Sequence, residues 1–306
     1  MNSAAVSQET AEIVVSRLFD APRELVFEAW TNPQHVPHWF GPNRFNTTIH
    51  EMDVRPGGVW RLTMHGPDGR DYRNHIVFLE VVKPARLVYK HEPEPGSEPV
   101  SFQTTVTFAA EGCQTRLTLR MLFPSSEARE HAVRTYHADE GGIQTLGRLA
   151  AHLPQMAVKD LLLTRVFDAP RELVFRAWTE RDRLQRWWRP KGFTNPVCEV
   201  DVRPGGAIRI EMVGPGGWAC PPMVGVFLEA VAPERLVFTT VLLDANGKAL
   251  FEVLNVVTFE DIGGKTRLTL RAIVTKTTET AQQYLAGMDQ GWSESLDRLA
   301  LEAAAI

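Results

Sequence analysis

The sequence predicts a tandem pair of α+β domains, each a curved antiparallel sheet wrapped around a long C-terminal helix, with two short helices after the first strand. Three observations lead there. The chain repeats itself with a period near 150 residues, each copy shows the same order of strand-like and helix-like periodicities, and 306 residues accommodate two such copies. A domain of roughly 150 residues can bury a full core, whereas solenoid units are far shorter.

The repeat is direct. Phe19-Asp-Ala-Pro-Arg-Glu-Leu-Val-Phe27 returns as Phe167-Asp-Ala-Pro-Arg-Glu-Leu-Val-Phe175, and Ala29-Trp30-Thr31 as Ala177-Trp178-Thr179. Trp39 matches Trp187, and Asp53-Val-Arg-Pro-Gly-Gly58 matches Asp201-Val-Arg-Pro-Gly-Gly206. After small insertions, Thr115-Arg-Leu-Thr-Leu-Arg120 pairs with Thr266-Arg-Leu-Thr-Leu-Arg271. The boundaries this implies are a flexible N-terminus over 1–11, a first domain over 12–154 and a second over 158–306.

Within the first copy, 12–19 alternates and reads as a strand. Asp20-Ala-Pro22 has the chemistry of a helix start, with Asp20 as the expected cap. Leu25, Val26, Ala29 and Trp30 share one helical face. Pro33 ends that helix, and a second short turn carries Trp39. Five or six strands follow, separated by Pro56-Gly-Gly58 and Gly66-Pro-Asp-Gly69, where glycine supplies positive φ and proline presets its own. Leu117, Leu119, Met121 and Phe123 alternate with polar residues, as a half-buried strand requires. A single closing helix is expected over 126–153, its apolar side carrying Tyr136, Ile143, Leu146, Leu149 and Leu153. One helix covers a curved sheet incompletely, so the space between them is the expected cavity.

These segments resemble the SRPBCC, or START-like, superfamily with its helix-grip fold, in the branch named after the C-terminal domain of the heat-shock-protein-90 ATPase activator. The residues carrying the resemblance are the Asp-Ala-Pro-Arg-Glu-Leu-Val-Phe-x-Ala-Trp-Thr segment, Trp39 and Trp187, Asp-Val-Arg-Pro-Gly-Gly, and Pro84-Ala-Arg-Leu87 with Pro233-Glu-Arg-Leu236. Gly291-Trp-Ser-Glu-Ser-Leu-Asp-Arg-Leu299 fits the family's last helix. The first copy departs from it, with Gly142 in place of the tryptophan and Gly147 in place of the aspartate. The resemblance implies a hydrophobic pocket for small molecules or lipids and no common cofactor.

Composition narrows the function classes. Apolar residues make up 44% and charged residues 23%, and 33 basic against 37 acidic side chains leave a net charge of −4. Nucleic-acid binding needs clustered cations, so no nucleic-acid partner is expected. No apolar run approaches the roughly 18 residues that span a bilayer. Three scattered cysteines and a polar N-terminus without a secretory pattern lead us to expect reduced thiols and a cytoplasmic location. There is no GxGxxG, P-loop, GxSxG, HExxH or CxxC, so neither a cofactor nor a metal site is expected and no catalytic residue is assigned.

All nine histidines fall in the first copy. His35 and His38 are one helical turn apart, but Pro37 intervenes and no cysteine accompanies them, so a surface pair is expected. By strand parity His50 should share the inner face with Met52, its counterpart being Cys198. The inner face should also hold Trp60, Leu62 and Met64 in the first copy and Ile208, Ile210 and Met212 in the second. Thr104 and Asn255 interrupt the apolar runs leading to Phe108 and Phe259, and a polar side chain there needs a hydrogen-bond partner. Tyr136, Met288 and Trp292 are the expected helix-side lining. Arg181 to Lys191 is the one locally basic stretch, a solvated helix face or a partner surface. The leading functional expectation is non-catalytic binding of a small hydrophobic, amphipathic or lipid-like ligand. The alternatives are a cyclase- or hydrolase-type enzyme working in the first pocket, with His50 or another first-copy histidine as its base, and a protein-interaction or co-chaperone-like module.

Overall fold

The computed structural model describes residues 11–93 and 101–304, so the expected flexible segment over 1–11 lies, apart from Ala11, outside the described residues. The chain divides into two compact units, residues 1–155 and 156–306. Each contains one seven-stranded, wholly antiparallel sheet.

The first unit runs β1 (Glu12–Phe19), α1 (Arg23–Thr31), α2 (Val36–Trp39), then six strands: β2 (Asn46–Met52), β3 (Val59–His65), β4 (Asp71–Val82), β5 (Arg86–Glu92), β6 (Phe102–Glu111) and β7 (Gln114–Leu122). Its sheet order is β1-β7-β6-β5-β4-β3-β2. Strands β2 to β7 form a meander, while β1 and β2 lie at opposite edges. The chain between them must therefore cross the sheet, and α1 and α2 are that crossing. Helix α1 begins with Pro22 in the N-cap position. Proline's fixed φ already sets the first turn.

The closing segment differs from expectation. In place of one helix there are α3 (Ser126–Tyr136) and α4 (Ala138–His152), separated by His137 in the left-handed region at φ 51. The His137 amide donates to the carbonyls of Ala132 and Val133, which terminates α3 without glycine. Within α4, Leu146 and Leu149 are buried, but Ile143 is 37% exposed.

The second unit repeats the plan: β8 (Lys159–Phe167), α5 (Arg171–Thr179), α6 (Arg181–Trp187), β9 (Thr194–Val200), β10 (Ala207–Val213), β11 (Met223–Val231), β12 (Arg235–Leu243), β13 (Ala249–Asp261), β14 (Thr266–Thr277), α7 (Gln282–Ala286) and α8 (Met288–Ala304). The sheet order is β8-β14-β13-β12-β11-β10-β9. The same buried side-chain bonds hold both units. Trp39 Nε1 donates to Ala29 O at 3.0 Å, and Trp187 Nε1 to Ala177 O at 2.8 Å. Thr115 Oγ1 donates to Ala21 O at 2.6 Å, and Thr266 Oγ1 to Ala169 O at 2.7 Å. These bonds tie the short helices to one another and β7 or β14 to the start of the crossing. A buried polar group that finds its partner in this way avoids the desolvation penalty.

Candidate functional site

The inner face of each sheet, the face on which the helices pack, is where the sequence places its candidate residues. In the first unit β3 contributes Trp60 and Leu62, both buried, and a half-buried Met64. Phe108 and Thr104 on β6 are 1% exposed, and Met52 is half-buried opposite Trp60. Thr104 pairs across β5 with Tyr89 and across β7 with Met121. Tyr89 in turn lies 6.1 Å from Trp60, ring to ring. These residues are brought together.

One expected member is not. His50 is exposed, and its Nε2 meets Thr63 Oγ1 at 2.8 Å. The cause is a β-bulge. Opposite β3, Ile49 pairs with Leu62 and Glu51 with Arg61, leaving His50 as the extra residue. A bulge shifts the alternation of faces, so parity counting from Met52 fails there. In the second unit the pairing is continuous at this point, Cys198 sits opposite Ile210, and Cys198 is fully buried. Burial pushes its thiol up to about 11, which leaves it protonated and unreactive. Tyr136 lies at the end of α3, before the break at His137, with its ring edge-on to His131.

Sequence reading passed over two members of the first unit's inner face, Tyr89 and His91. Leu87, Tyr89 and His91 alternate on β5, and that alternation was the available signal. His91 stacks on Phe102 at 4.0 Å and packs 5.7 Å from Tyr89. Burial pushes His91 down to about 3, so it is neutral at neutral pH. Burial also raises the Tyr89 hydroxyl well above its ordinary value, with the Trp30 indole acting in the opposite sense. Beside them, Thr104 Oγ1 and Trp60 Nε1 are buried without a hydrogen-bond partner among the described residues.

In the second unit Cys198, Ile208, Ile210 and Phe259 share one apolar cluster, against which Met212 and Trp292 pack half-buried. Met288 and Trp292 pack on a second cluster formed by Leu161, Val253, Ala272, Val274 and Leu285. Asn255, 1% exposed, is the counterpart of Thr104. Its Nδ2 donates to Thr240 Oγ1 at 3.0 Å, while Oδ1 is buried and has no partner among the described residues. Thr240 occupies the β12 place that His91 holds on β5. Both units therefore set a polar pair at one matching position of an otherwise apolar surface, each with an oxygen left over.

The basic stretch on α6 is already engaged. Arg181 donates to Cys198 O, and Arg183 pairs with Glu180 at 2.5 Å. Glu302 Oε1 lies 3.7 Å from Arg183 and 3.3 Å from Arg186. Trp187 is fully buried. The equivalent trio in the first unit is His35, His38 and His152. His152 Nε2 lies 3.3 Å from His35 Nδ1, and the His38 and His152 rings stack at 5.4 Å. These histidines join α2 to the end of α4, with His38 exposed and His35 half-buried. Among the described residues no group of three or more His, Cys, Asp or Glu side chains is arranged to hold a metal ion. No helix among them is long and apolar enough to cross a membrane.

Comparisons with known proteins agree with the duplication. The family model described as Activator of Hsp90 ATPase homolog 1-like protein matches residues 20–154 and again 168–303. Similar solved structures include a protein from Arthrobacter aurescens, 23% identical, TM-score 0.47, covering 50% of this chain and 91% of its own. Another is the AHSA1 protein of Silicibacter pomeroyi, 26% identical, TM-score 0.41, covering 48% of this chain and 99% of its own. A protein from Nitrosomonas europaea is 24% identical, with a TM-score of 0.42, and covers 49% and 98% respectively. A search of curated proteins found no match.

Proposed function

Because this chain belongs, in both of its halves, to the Activator of Hsp90 ATPase homolog 1-like family, we propose that it binds small hydrophobic or amphipathic molecules between the inner sheet face and the closing helix, without catalysis. One observation carries the reading: Thr104 Oγ1 and Asn255 Oδ1, at matching positions of the two sheets, are buried and unpartnered among the described residues. Leaving such a group unpaired costs about 1–3 kcal/mol, a cost that a bound molecule bearing a complementary group removes.

The catalytic alternative rested on His50 or another first-copy histidine, and His50 is exposed. His91, the histidine that does reach the inner face, is held neutral far below the range useful to a general base near pH 7. The protein-interaction alternative used the surface of 181–191, where Arg183 and Arg186 share Glu302 and Arg186 stays largely exposed.

Native mass spectrometry of the purified full chain tests the proposal, with a co-purified small molecule as the expected result. Thermal shift against an apolar ligand series is the companion measurement. A ligand at 100 times its Kd adds about 2.7 kcal/mol to the folded state. No adduct and no shift with any ligand would reject the reading.

A further inference from the structure

Both halves fasten the loop that follows the second short helix onto the closing helix, and they do it with matching parts. Asn43 N donates to Gln144 Oε1 at 2.9 Å, and Lys191 N donates to Glu294 Oε2 at 2.7 Å. The proline before each amide lies against a helix glycine. A Cβ on Gly141 would stand 3.4 Å from Pro42 Cγ, and one on Gly291 would stand 3.7 Å from Pro190 Cγ. One turn beyond Gln144 or Glu294, each closing helix carries an arginine, Arg148 or Arg298.

The two arginines have different surroundings. Arg148 Nη1 donates to Gly41 O at 3.0 Å and to Pro42 O at 2.9 Å, and Nη2 donates to His38 O at 3.4 Å. In the second half Arg189 stands in the place of Gly41 and takes that backbone for itself. Its Nε donates to Arg186 O, the counterpart of His38 O, at 3.0 Å, and its Nη1 donates to Phe193 O. Arg298 is half-buried and has no hydrogen bond or ion pair among the described residues.

The nearby carboxylates are committed elsewhere. Glu294 Oε2 holds the Lys191 amide and Oε1 accepts from Gln290 Nε2 at 2.8 Å, so its charge reaches Arg298 without a direct bond. Glu302, one turn past Arg298, is shared by Arg183 and Arg186. Burial lowers the pKa of Arg189, and the charge of Arg298 lowers it further. Lys191 is exposed on the same loop. A guanidinium partly withdrawn from water needs an acceptor, and an anion with oxygens on several sides can serve two at once.

We propose that this corner between α6 and α8 binds a phosphate monoester, its dianion bridging Arg298 and Arg189 with Lys191 as the third cation. A tetrahedral phosphoryl group offers oxygens to both guanidinium groups, whereas the two oxygens of a carboxylate serve one fork. The site is separate from the inner-face anchors and does not rest on them. The first half lacks it, since Gly41 and Asn43 stand for Arg189 and Lys191 and Arg148 is already bonded.

The test has two arms on the full chain. Glycerol 3-phosphate is titrated in by calorimetry at low salt, and the chain is sedimented with phosphatidylcholine vesicles with or without phosphatidic acid, which carries the same monoester on a lipid. The proposal expects saturable binding in at least one arm, weakened at least about tenfold by Arg298→Gln, which removes a charge-assisted fork. Arg209→Gln, an equal loss of charge on β10, should leave binding unchanged. Binding of the soluble ester identifies a small molecule as the source, and binding to the vesicles alone identifies a membrane lipid. Without ligand, Arg298→Gln should melt no lower than the wild type, because the arginine has no bond to lose. No binding in either arm, binding that Arg298→Gln weakens no more than Arg209→Gln does, or a ligand-free Arg298→Gln that melts below the wild type would overturn the proposal.

Discussion

Acidification should weaken the first half specifically, through His152. This side chain is 8% exposed and closes α4 onto α2. Desolvation, with the neighbouring His35 and His38 adding in the same direction, holds its pKa down from 6.5 to about 4. His35 is likewise lowered, chiefly by burial, with Glu28 opposing. The Arg148 guanidinium, bonded to the carbonyls of Gly41, Pro42 and His38, adds positive charge nearby. A histidine whose folded pKa lies below its unfolded value is favoured neutral by folding. Its stabilisation is therefore fully present above about pH 6.5 and is lost as the pH falls towards about 4. The gap of about 2.5 units corresponds to about 3.4 kcal/mol at full expression, of which about 2.5 kcal/mol is lost by pH 4.5. The assay is urea denaturation of the full chain and of His152→Gln at pH 7.5 and 4.5. Glutamine stays neutral and keeps both a donor and an acceptor for His35. The wild type should lose about 2.5 kcal/mol more than the variant on acidification. Contributions from His91 and the surface carboxylates are common to both proteins and cancel. Equal losses, or an NMR titration of His152 with a midpoint near 6.5, would refute the reasoning.

Three further outcomes follow from the geometry. Thr104→Val should raise the stability of the ligand-free protein by about 1 kcal/mol, since it removes a buried hydroxyl that has no partner; a loss of stability in thermal melts would mean the hydroxyl is satisfied. Gly58→Ala should be far worse than Gly57→Ala, because a Cβ at Gly58 would lie 2.1 Å from the Asp53 carbonyl oxygen, whereas Gly57 at φ 79 has open space around it. The Gly57 change should cost about 1–2 kcal/mol from its left-handed backbone alone; equal losses in denaturant midpoint would contradict this. Gly142→Trp, which copies the second half's residue into the first, should destabilise by at least about 2 kcal/mol, since α4 has no room to receive the ring. An unchanged melting temperature would show that the helix can lift off the sheet.

Most of the fold was legible because its signals are local. Strand alternation over Leu117, Leu119 and Met121, and the paired prolines and glycines of the turns, each act within a few residues. The duplication then supplied every signal twice. What was not legible depended on longer-range geometry. The bulge that turns His50 outward is visible only in the pairing of β2 with β3, since it requires two residues opposite one. The break at His137 lacks the glycine that normally marks a helix end, so the periodicity of 126–153 ran straight through it. The anchors Thr104 and Asn255 were readable as polar interruptions, but that each keeps an unpartnered oxygen could be learned only from what surrounds them. His91 was legible, since it alternates with Leu87 and Tyr89 on β5.

The comparison of the halves separates what this fold needs from what it leaves free. The tryptophan bond across the short helices and the threonine bond at the start of the crossing occur in both with nearly the same lengths. Both fix backbone to side chain where the crossing must turn, and without them the short helices would bury unpaired carbonyls. The clasp at the end of the closing helix is another matter. Two arginines and a glutamate serve in one half and three histidines in the other, so the fold requires only that α2 or α6 be tied down there. The residues beside the polar anchor vary in the same way, Met121 and Gly142 against Ala272 and Trp292. A position that the scaffold does not constrain is one where two copies can acquire different ligands. The His152 titration probes one such position; a first half that responded to acid no more than the second would argue that this difference is neutral drift in a duplicated scaffold.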